Sequence, residues 1–370
     1  MKPNDSANPF AGRYDALRRR LVKRRIAVAL IFGEKNILSL TGVECDNACL
    51  VCPSDGAPAI FTDFRYVPAV RRVAPWLKCV EVKRGTSFPK AARRFLESRR
   101  MPRPGRIGYE GSIAASCYLA LAKSFPKATL VDVEGEALDL RAVKTPDEIA
   151  RIAAAESLND EIWSFARREF HRGMTEKEMQ RVIRGYMNAL GDGEAFETIV
   201  CAGPNAAECH HVPDDTVWKR GEPLLVDMGV KLGGFCSDMT RCIPSPAGSF
   251  PEYDKVYDIV LKAQEAAIAA ARPGMTGGEL DAVARRIISK AGYGKAFGHG
   301  LGHGVGLEIH EWPRASRKSD IVLEPGMAVT IEPGVYLEGK LGVRIEDLVL
   351  ITDVGCEVLS SSPKRRRNGR

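Results

Sequence analysis

Four carboxylates and one imidazole stand out in the second half of the chain: Asp227, Asp238, Glu332 and Glu346, with His303 between the two pairs. They lie in the segments Leu224-Leu-Val-Asp-Met-Gly229, Phe235-Cys-Ser-Asp-Met-Thr-Arg241, Gly298-His-Gly-Leu-Gly-His-Gly-Val-Gly306, Ile331-Glu-Pro-Gly-Val-Tyr336 and Gly342-Val-Arg-Ile-Glu-Asp347. Each charged residue sits in an apolar or β-branched run of the kind that forms buried strand. A carboxylate inside such a strand is costly unless something pairs with it. Four of them cannot share one apolar pocket without strong positive charge among them. One imidazole and four carboxylates suit one or two divalent cations; Mn fits this ligand mix best, and Co, Zn and Fe also fit. Any one of these Asp residues alone reads as an edge or turn residue. The five together carry the argument for a metal centre.

Histidine usage points the same way. The chain has six, at positions 171, 210, 211, 299, 303 and 310; His299 and His303 lie in these segments, His310 follows Gly306 closely, and His210 and His211 end the loop 203–211. A neutral imidazole there can donate to an oxyanion or pass a proton to a leaving amine. No G-x-S-x-G nucleophile elbow is present, and the first third of the chain has no phosphate-cradling glycine loop.

These residues need a scaffold, and the pattern around them supplies two. From residue 13 to 133, helical and strand-like segments alternate in an α/β layout. A helix over 13–25 turns Tyr14, Leu17, Leu21 and Val22 inward. Strands follow at 26–32, 36–42, 48–52, 59–61, 80–82, 106–109 and 129–133, with helices at 62–74, 88–100 and 112–123 between the later ones. The boundary falls near 134–145. Thr145-Pro-Asp-Glu148 then opens a long amphipathic helix with Thr145 as N-cap and Glu148 closing a capping box. Gly173-Met-Thr175-Glu-Lys-Glu178 opens a second helix, and a strand at 196–201 leads into the loop 203–211. From Pro251 the layout starts again: a helix over 252–271, another opened by Thr276, then the strands of Glu332 and Glu346. This is a weak internal duplication of two helices followed by a carboxylate-bearing hairpin, and it places a site at the pseudo-twofold seam. The implied domains are 1–138, 139–360 and a disordered basic tail at 361–370.

Composition excludes several classes. Two domains are natural for 370 residues, and 45% hydrophobic with 27% charged residues is ordinary for a globular protein. No apolar run approaches 18 residues, which predicts no membrane span, and residues 1–10 lack the apolar core of a secretion signal. Among ten cysteines only Cys49 and Cys52 have CxxC spacing, without a second pair to complete a zinc site. They read as buried, reduced thiols, which fits the cytoplasm. The net charge of +7 concentrates at 18–25 and 364–367. With no aromatics interleaved, these runs read as a solvated helix face and a tail rather than a nucleic-acid surface.

The quoted segments resemble the pita-bread metallopeptidases, and within them the Xaa-Pro aminopeptidase and Xaa-Pro dipeptidase (prolidase) branch. The resemblance covers nearly the whole chain. Thr41-Gly-Val43 through Thr62-Asp-Phe-Arg-Tyr66 looks like the family's creatinase-like N-terminal α/β domain. Residues from about 145 to 355 look like its α+β pita-bread catalytic domain, with pseudo-twofold symmetry. The resemblance implies two divalent metals: Asp227 on one, Asp238 and Glu346 bridging both, His303 and Glu332 on the other. A hydroxide between the two metals is then the nucleophile, and Glu332 counts among both the ligands and the catalytic residues. The family places a histidine contacting the substrate carbonyl at His310 and one near the scissile nitrogen at His210, with His211 the adjacent alternative. His299 matches a position beside the leaving residue, or else is a hydrogen-bonded turn histidine. Arg344 matches an arginine that holds a ligand carboxylate, and Tyr336 is a pocket wall or a core residue. Two departures stand out: Glu208-Cys209 where many relatives have an apolar residue and proline, and Cys45-Asp46 in place of a smaller pair. The implied activity is hydrolysis before proline in a dipeptide or at a peptide N-terminus, by a homodimer. A creatinase-like C–N hydrolase and a non-catalytic binding module are the alternatives, and the retained ligand set weighs against both.

Overall fold

The structure is a computed structural model that describes residues 10–99, 105–245 and 249–364. It comprises two compact units, Met1–Arg141 and Ala142–Arg370.

The first unit runs α1 (Ala11–Lys23), β1 (Val28–Ile31), α2 (Glu34–Thr41), β2 (Ala48–Pro53), β3 (Ala59–Thr62), α3 (Val67–Val73), β4 (Lys78–Glu81), α4 (Phe88–Ser98), β5 (Arg106–Tyr109), α5 (Ala115–Ser124), β6 (Thr129–Asp132) and α6 (Glu134–Ala142). Its strands form one mixed sheet in the order β4-β3-β2-β1-β5-β6. The central strands are apolar throughout because both faces are covered. Ala29, Ile31, Leu50, Cys52 and Ile60 pack on Leu17, Leu21, Ile37 and Val70. The alternate residues Val28, Leu30, Cys49, Val51 and Phe61 pack on Ala92, Leu96 and Leu121 on the other face. Period-two alternation of side chains puts neighbours on opposite faces.

Two readings of this unit change, and the boundary segment gains a helix. Residues 36–42, expected as strand, form helix α2. Ile37, Leu40 and Thr41 are buried at helical spacing, and Gly42 ends the helix at φ +73°, a conformation glycine adopts without strain. The expected boundary at 134–145 holds helix α6, with Ala137 and Leu140 turned to the core. Val22, expected inside, is 60% exposed, one position past the Tyr14–Leu17–Leu21 stripe.

The second unit runs α7 (Pro146–Glu169), α8 (Glu176–Leu190), β7 (Ile199–Ala202), β8 (Leu224–Met228), β9 (Lys231–Leu232), β10 (Phe235–Cys236), β11 (Met239–Ile243), α9 (Pro251–Ala270), α10 (Gly277–Lys290), β12 (Gly302–Gly304), β13 (Glu311–Ala315), β14 (Ala328–Ile331), β15 (Gly334–Leu337), β16 (Leu341–Arg344), β17 (Asp347–Ile351) and β18 (Cys356–Val358). Thr145, Thr175 and Thr276 each close a capping box, with Glu148, Glu178 and Glu279 respectively. The duplication is visible in the elements. Two helices precede the antiparallel pair β8–β11, and two more precede the antiparallel pair β14–β17. One core gathers α7 and α8 against β7, β8 and β11, through Ile162, Met179, Ile183, Val200 and Val226. The other gathers α9 and α10 against the second set of strands, through Val256, Val260, Leu280, Val329 and Val349.

The expected tail does not begin at 361. Ser361 and Ser362 donate backbone N–H groups to Asp160 at 2.7 and 2.8 Å. Lys364 Nζ pairs with the buried Asp347. Residues 365–370 lie outside the described residues. Ser360 Oγ donates to Glu156 Oε1 at 2.7 Å and accepts the Leu348 N–H at 2.9 Å, both in buried surroundings. Ser360→Ala therefore strands a buried carboxylate oxygen and a buried amide. It should cost about 1–3 kcal/mol, read as a lower urea midpoint at unchanged slope. A midpoint equal to wild type would show that water replaces the serine without loss.

Candidate metal centre and the cavity above it

All five predicted ligands converge. Asp227 lies in β8, and Asp238 immediately precedes β11, which pairs with β8 so that Thr240 faces Asp227. His303 is the middle residue of β12, Glu332 follows β14, and Glu346 sits between β16 and β17. Only Asp227 and His303 are thus inside strands. The other three stand at strand junctions, where the chain can turn a carboxylate inward. Ligand atoms of Asp238, His303 and Glu346 lie within 4.8 Å of one another. His303 Nε2 is 3.5 Å from Asp238 Oδ2 and 3.3 Å from Glu332 Oε1. Its Nδ1 faces the Gly304 carbonyl at 3.1 Å. A proton on Nδ1 satisfies that carbonyl and leaves the Nε2 lone pair aimed into the cluster.

The glycines around His303 serve the strands, not the cluster. A Cβ on Gly302 would lie 1.9 Å from the Thr330 carbonyl oxygen, and one on Gly304 2.1 Å from that of Trp312. Only glycine lets β12 sit this close to its neighbours, which sets the depth of His303.

Arg344 anchors the opposite side. Its Nη2 donates to Asp227 Oδ2 at 2.6 Å, its Nε to Thr240 Oγ1 at 3.0 Å, and its Nη1 to the Tyr336 hydroxyl at 2.8 Å. Thr240 Oγ1 in turn donates a hydrogen bond to Glu346 Oε2 at 2.6 Å. One guanidinium thereby orients Asp227 directly and Glu346 through Thr240. The Tyr336 hydroxyl also meets His299 Nε2 at 3.0 Å.

Electrostatics show what this arrangement lacks. Burial holds Asp238 well above the ordinary carboxyl range, and the charges of Glu346, Asp227 and Glu332 push it further. Glu346 is raised well above its usual value by burial and by Glu332 and Asp227. Asp227 is raised by burial against the pull of Arg344. Glu332 goes the other way: burial raises it, and the His303 bond and charge outweigh that, to about 2. Asp227 Oδ1 is buried and, among the described residues, has no hydrogen-bond partner. An orphaned carboxylate oxygen beside three crowded carboxylates and a bare imidazole nitrogen is a donor set that fits a divalent cation.

A cavity of about 490 Å³ opens over the cluster. Besides the ligands it is lined by His210, His299, His310, Tyr336 and Arg344, so every predicted site residue borders it. His310 stacks edge-on to His303 with centroids 4.4 Å apart. Burial and the neighbouring His303 lower the pKa of His310. Burial chiefly lowers that of His299, so both rings are neutral near pH 7. His210, not His211, faces the cavity; His211 is buried behind it against Glu176 at 2.7 Å.

Several contributors were not singled out from sequence. Phe196, Ile199, Ile309 and Arg314 line the cavity. Glu156 of α7, fully buried and raised to about 8 by burial, accepts the Asp238 N–H at 3.1 Å. A signal existed: Glu156 and Asn159 fall on the face of α7 that buries Ile152 and Ile162, and a carboxylate on an apolar stripe needs a partner.

Comparison with known proteins agrees with this geometry. Residues 150–353 match metallopeptidase family M24, and residues 13–143 match the creatinase/prolidase N-terminal domain. The chain belongs to metallopeptidase family M24, with a creatinase-type N-terminal domain and a pita-bread catalytic domain. It is 40% identical over 260 residues to the Xaa-Pro dipeptidase of Pyrococcus furiosus, covering 70% of this chain and 74% of that one. Among solved structures it resembles an Xaa-Pro dipeptidase from Bacillus anthracis, with TM-score 0.89 and 31% identity over 96% of this chain and 99% of that one. It also resembles an X-Pro aminopeptidase from Thermotoga maritima, with TM-score 0.83 and 31% identity over 94% and 98%. Among the described residues no helix is long and apolar enough to cross a membrane.

The raised Asp238 and Glu346 give a test of the metal reading. Their carboxyls must lose protons to bind a cation, so Mn²⁺ uptake by chelator-treated protein should release protons, and affinity should keep rising with pH above the ordinary carboxylate range. Calorimetry in buffers of different ionisation enthalpy measures both. Uptake without proton release would place the cation elsewhere.

Proposed function

We propose that this chain is an Xaa-Pro peptidase, hydrolysing the bond before proline in dipeptides or at the N-terminus of peptides. The observation that carries the reading is the convergence of Asp227, Asp238, His303, Glu332 and Glu346 beneath a histidine-lined cavity, with Asp227 Oδ1 left unpaired. The M24 match and the relatives with Xaa-Pro activity in their names support it. Asp238 and Glu346 would be shared by two divalent metals, Mn²⁺ by preference; Asp227 would hold one, and His303 and Glu332 the other. When bound, such a pair supplies Lewis acidity and an acidified water for attack on the peptide carbonyl.

The chain's own residues do the rest. Neutral His310, beside His303, donates a hydrogen bond to the substrate carbonyl oxygen as negative charge develops there. His210, at the exposed rim, delivers a proton to the proline nitrogen, so that it leaves as a neutral secondary amine and not as an amide anion. His299, tied to Tyr336, walls the pocket for the leaving residue, and Phe196, Ile199 and Ile309 offer apolar surface for a ring. Arg344 keeps Asp227 and Glu346 aimed. The ten free cysteines favour a reducing, cytoplasmic setting, and a homodimer is the assembly we expect.

Four measurements test this. Asp238→Ala or Glu346→Ala should abolish hydrolysis, because each removes a bridge between the cations. His310→Ala should lower kcat about 10²-fold with metal content unchanged; wild-type turnover in either carboxylate variant would refute the dinuclear assignment. Ala-Pro and Ala-Pro-Pro, offered to metal-stripped protein with Mn²⁺ restored, separate the two substrate classes. Arg314, exposed at the cavity wall, is the cation placed to meet a dipeptide's free carboxylate. Arg314→Ala should therefore raise KM about 10-fold or more for Ala-Pro and spare Ala-Pro-Pro. An equal effect on both would remove Arg314 from that role.

A further inference from the structure

A second grouping of metal-type side chains lies apart from the five ligands: Glu176, His211 and Asp214, with ligand atoms within 4.8 Å of one another. Hydrogen bonds within the protein already use its central carboxylate. Glu176, fully buried at the first position of α8, accepts the Ala202 N–H at 2.7 Å and Asn205 Nδ2 at 3.0 Å on Oε1. On Oε2 it accepts the Asp214 N–H at 3.1 Å and His211 Nε2 at 2.7 Å. Four donors fill the roughly four lone-pair sites of a carboxylate and leave no place for a cation.

Those four donors come from the end of β7, the turn after it, and both ends of the 211–214 segment. They span the loop that carries His210. The same loop is held from the other side, where Arg344 Nη1 donates to the Cys209 carbonyl at 3.3 Å. A Cβ on Gly342 would lie 1.6 Å from the Ala206 carbonyl oxygen, so β16 packs directly on the turn. Cys209 and His210 are the only two residues of this loop on the cavity wall among the described residues. We infer that Glu176 and His211 form a buried latch that holds the 203–214 loop and so positions His210 over the reacting bond. The inference rests on the peptidase reading for the role of His210, while the latch itself does not.

The chemistry of His211 suits a latch. Nε2 faces Glu176, and Nδ1 faces Glu208 Oε2 at 3.4 Å, with Asp214 close by. Burial alone would lower the pKa of the ring, but the bond to Glu176, its charge and the Glu208 contact outweigh that and raise it. The charged ring holds a carboxylate more strongly than a neutral one does. His211 thus acts through its neighbour and touches no substrate.

The test uses the full chain in two states. In the metal-free protein, hydrogen–deuterium exchange is followed in peptides covering 203–214 and, as a control, 332–346. With Mn²⁺ restored, Ala-Pro hydrolysis is measured at equal metal content. His211→Ala and Glu176→Gln should speed exchange in 203–214 by about tenfold or more and leave 332–346 unchanged. They should lower kcat/KM about 10–100-fold. His211→Gln, whose side-chain amide can still donate to Glu176, should recover most of both. Unchanged loop exchange in His211→Ala overturns the latch, and so does equal impairment of His211→Ala and His211→Gln. If Glu176→Gln does not fold, the two His211 variants decide alone. Wild type that fails to cleave Ala-Pro sinks the peptidase reading, and the exchange data still decide the latch.

Discussion

The second unit is built around crowded negative charge. Asp227, Asp238, Glu332 and Glu346 are drawn into one largely buried cluster, and among the described residues Arg344 and His303 are the basic groups paired with them inside it. Mutual repulsion and lost hydration would normally drive such groups apart or neutralise them. The fold prevents separation by holding each carboxylate on a different strand or strand junction, and the raised Asp238 and Glu346 show the drive toward neutralisation that remains. The Arg344–Asp227 ion pair is the contact that ties the arrangement together. Through Thr240 it reaches Glu346, through Tyr336 it reaches His299, and through the Cys209 carbonyl it reaches the loop of His210. A single guanidinium therefore couples the floor of the site to its walls. A point charge such as lysine's could not make this set of directed bonds.

The two halves of the catalytic domain solve the same positioning problem in parallel. In each, the second helix begins with a threonine capping box and carries a buried carboxylate that grips the loop leading to the site. In the first half this is Glu176, holding residues 202–214. In the second it is Asp281, which accepts the Leu301 N–H at 3.1 Å. Asp281 also pairs with Arg285, whose guanidinium caps the Phe297 and His299 carbonyls. Loops pay an entropic cost when they are ordered, and here buried ionic bonds to a helix offset it. His210 and His299, at the cavity wall, are consequently presented by segments bonded to helices even though they sit on loops.

Much of this was legible in the chain. The convergence of Asp227, Asp238, His303, Glu332 and Glu346 could be read because a charged residue in an apolar run has few explanations, and five in one order have fewer. The three capping boxes could be read because Thr-x-x-Glu is a local signal that needs no partner from elsewhere. The helix at Glu34–Thr41 was misread as strand because short apolar segments carry too few periods to separate helix from strand. The ordered segment at 361–364 was misread because its serines and lysine look solvated until Asp160, Glu156 and Asp347 are seen beneath them.

The residues themselves determined the chemistry on offer: which side chains can ligate, which can donate a proton, and that their crowded charge suits a cation. Tertiary structure decided what each neighbouring pair does. Nothing in the sequence says that His210 faces the cavity while His211 turns inward to Glu176, because consecutive loop residues have no fixed face. Nor does it say that Gly302 and Gly304 press against Thr330 and Trp312 rather than against the metal centre. Those assignments depend on contacts between residues far apart in the chain, and only packing brings those residues together.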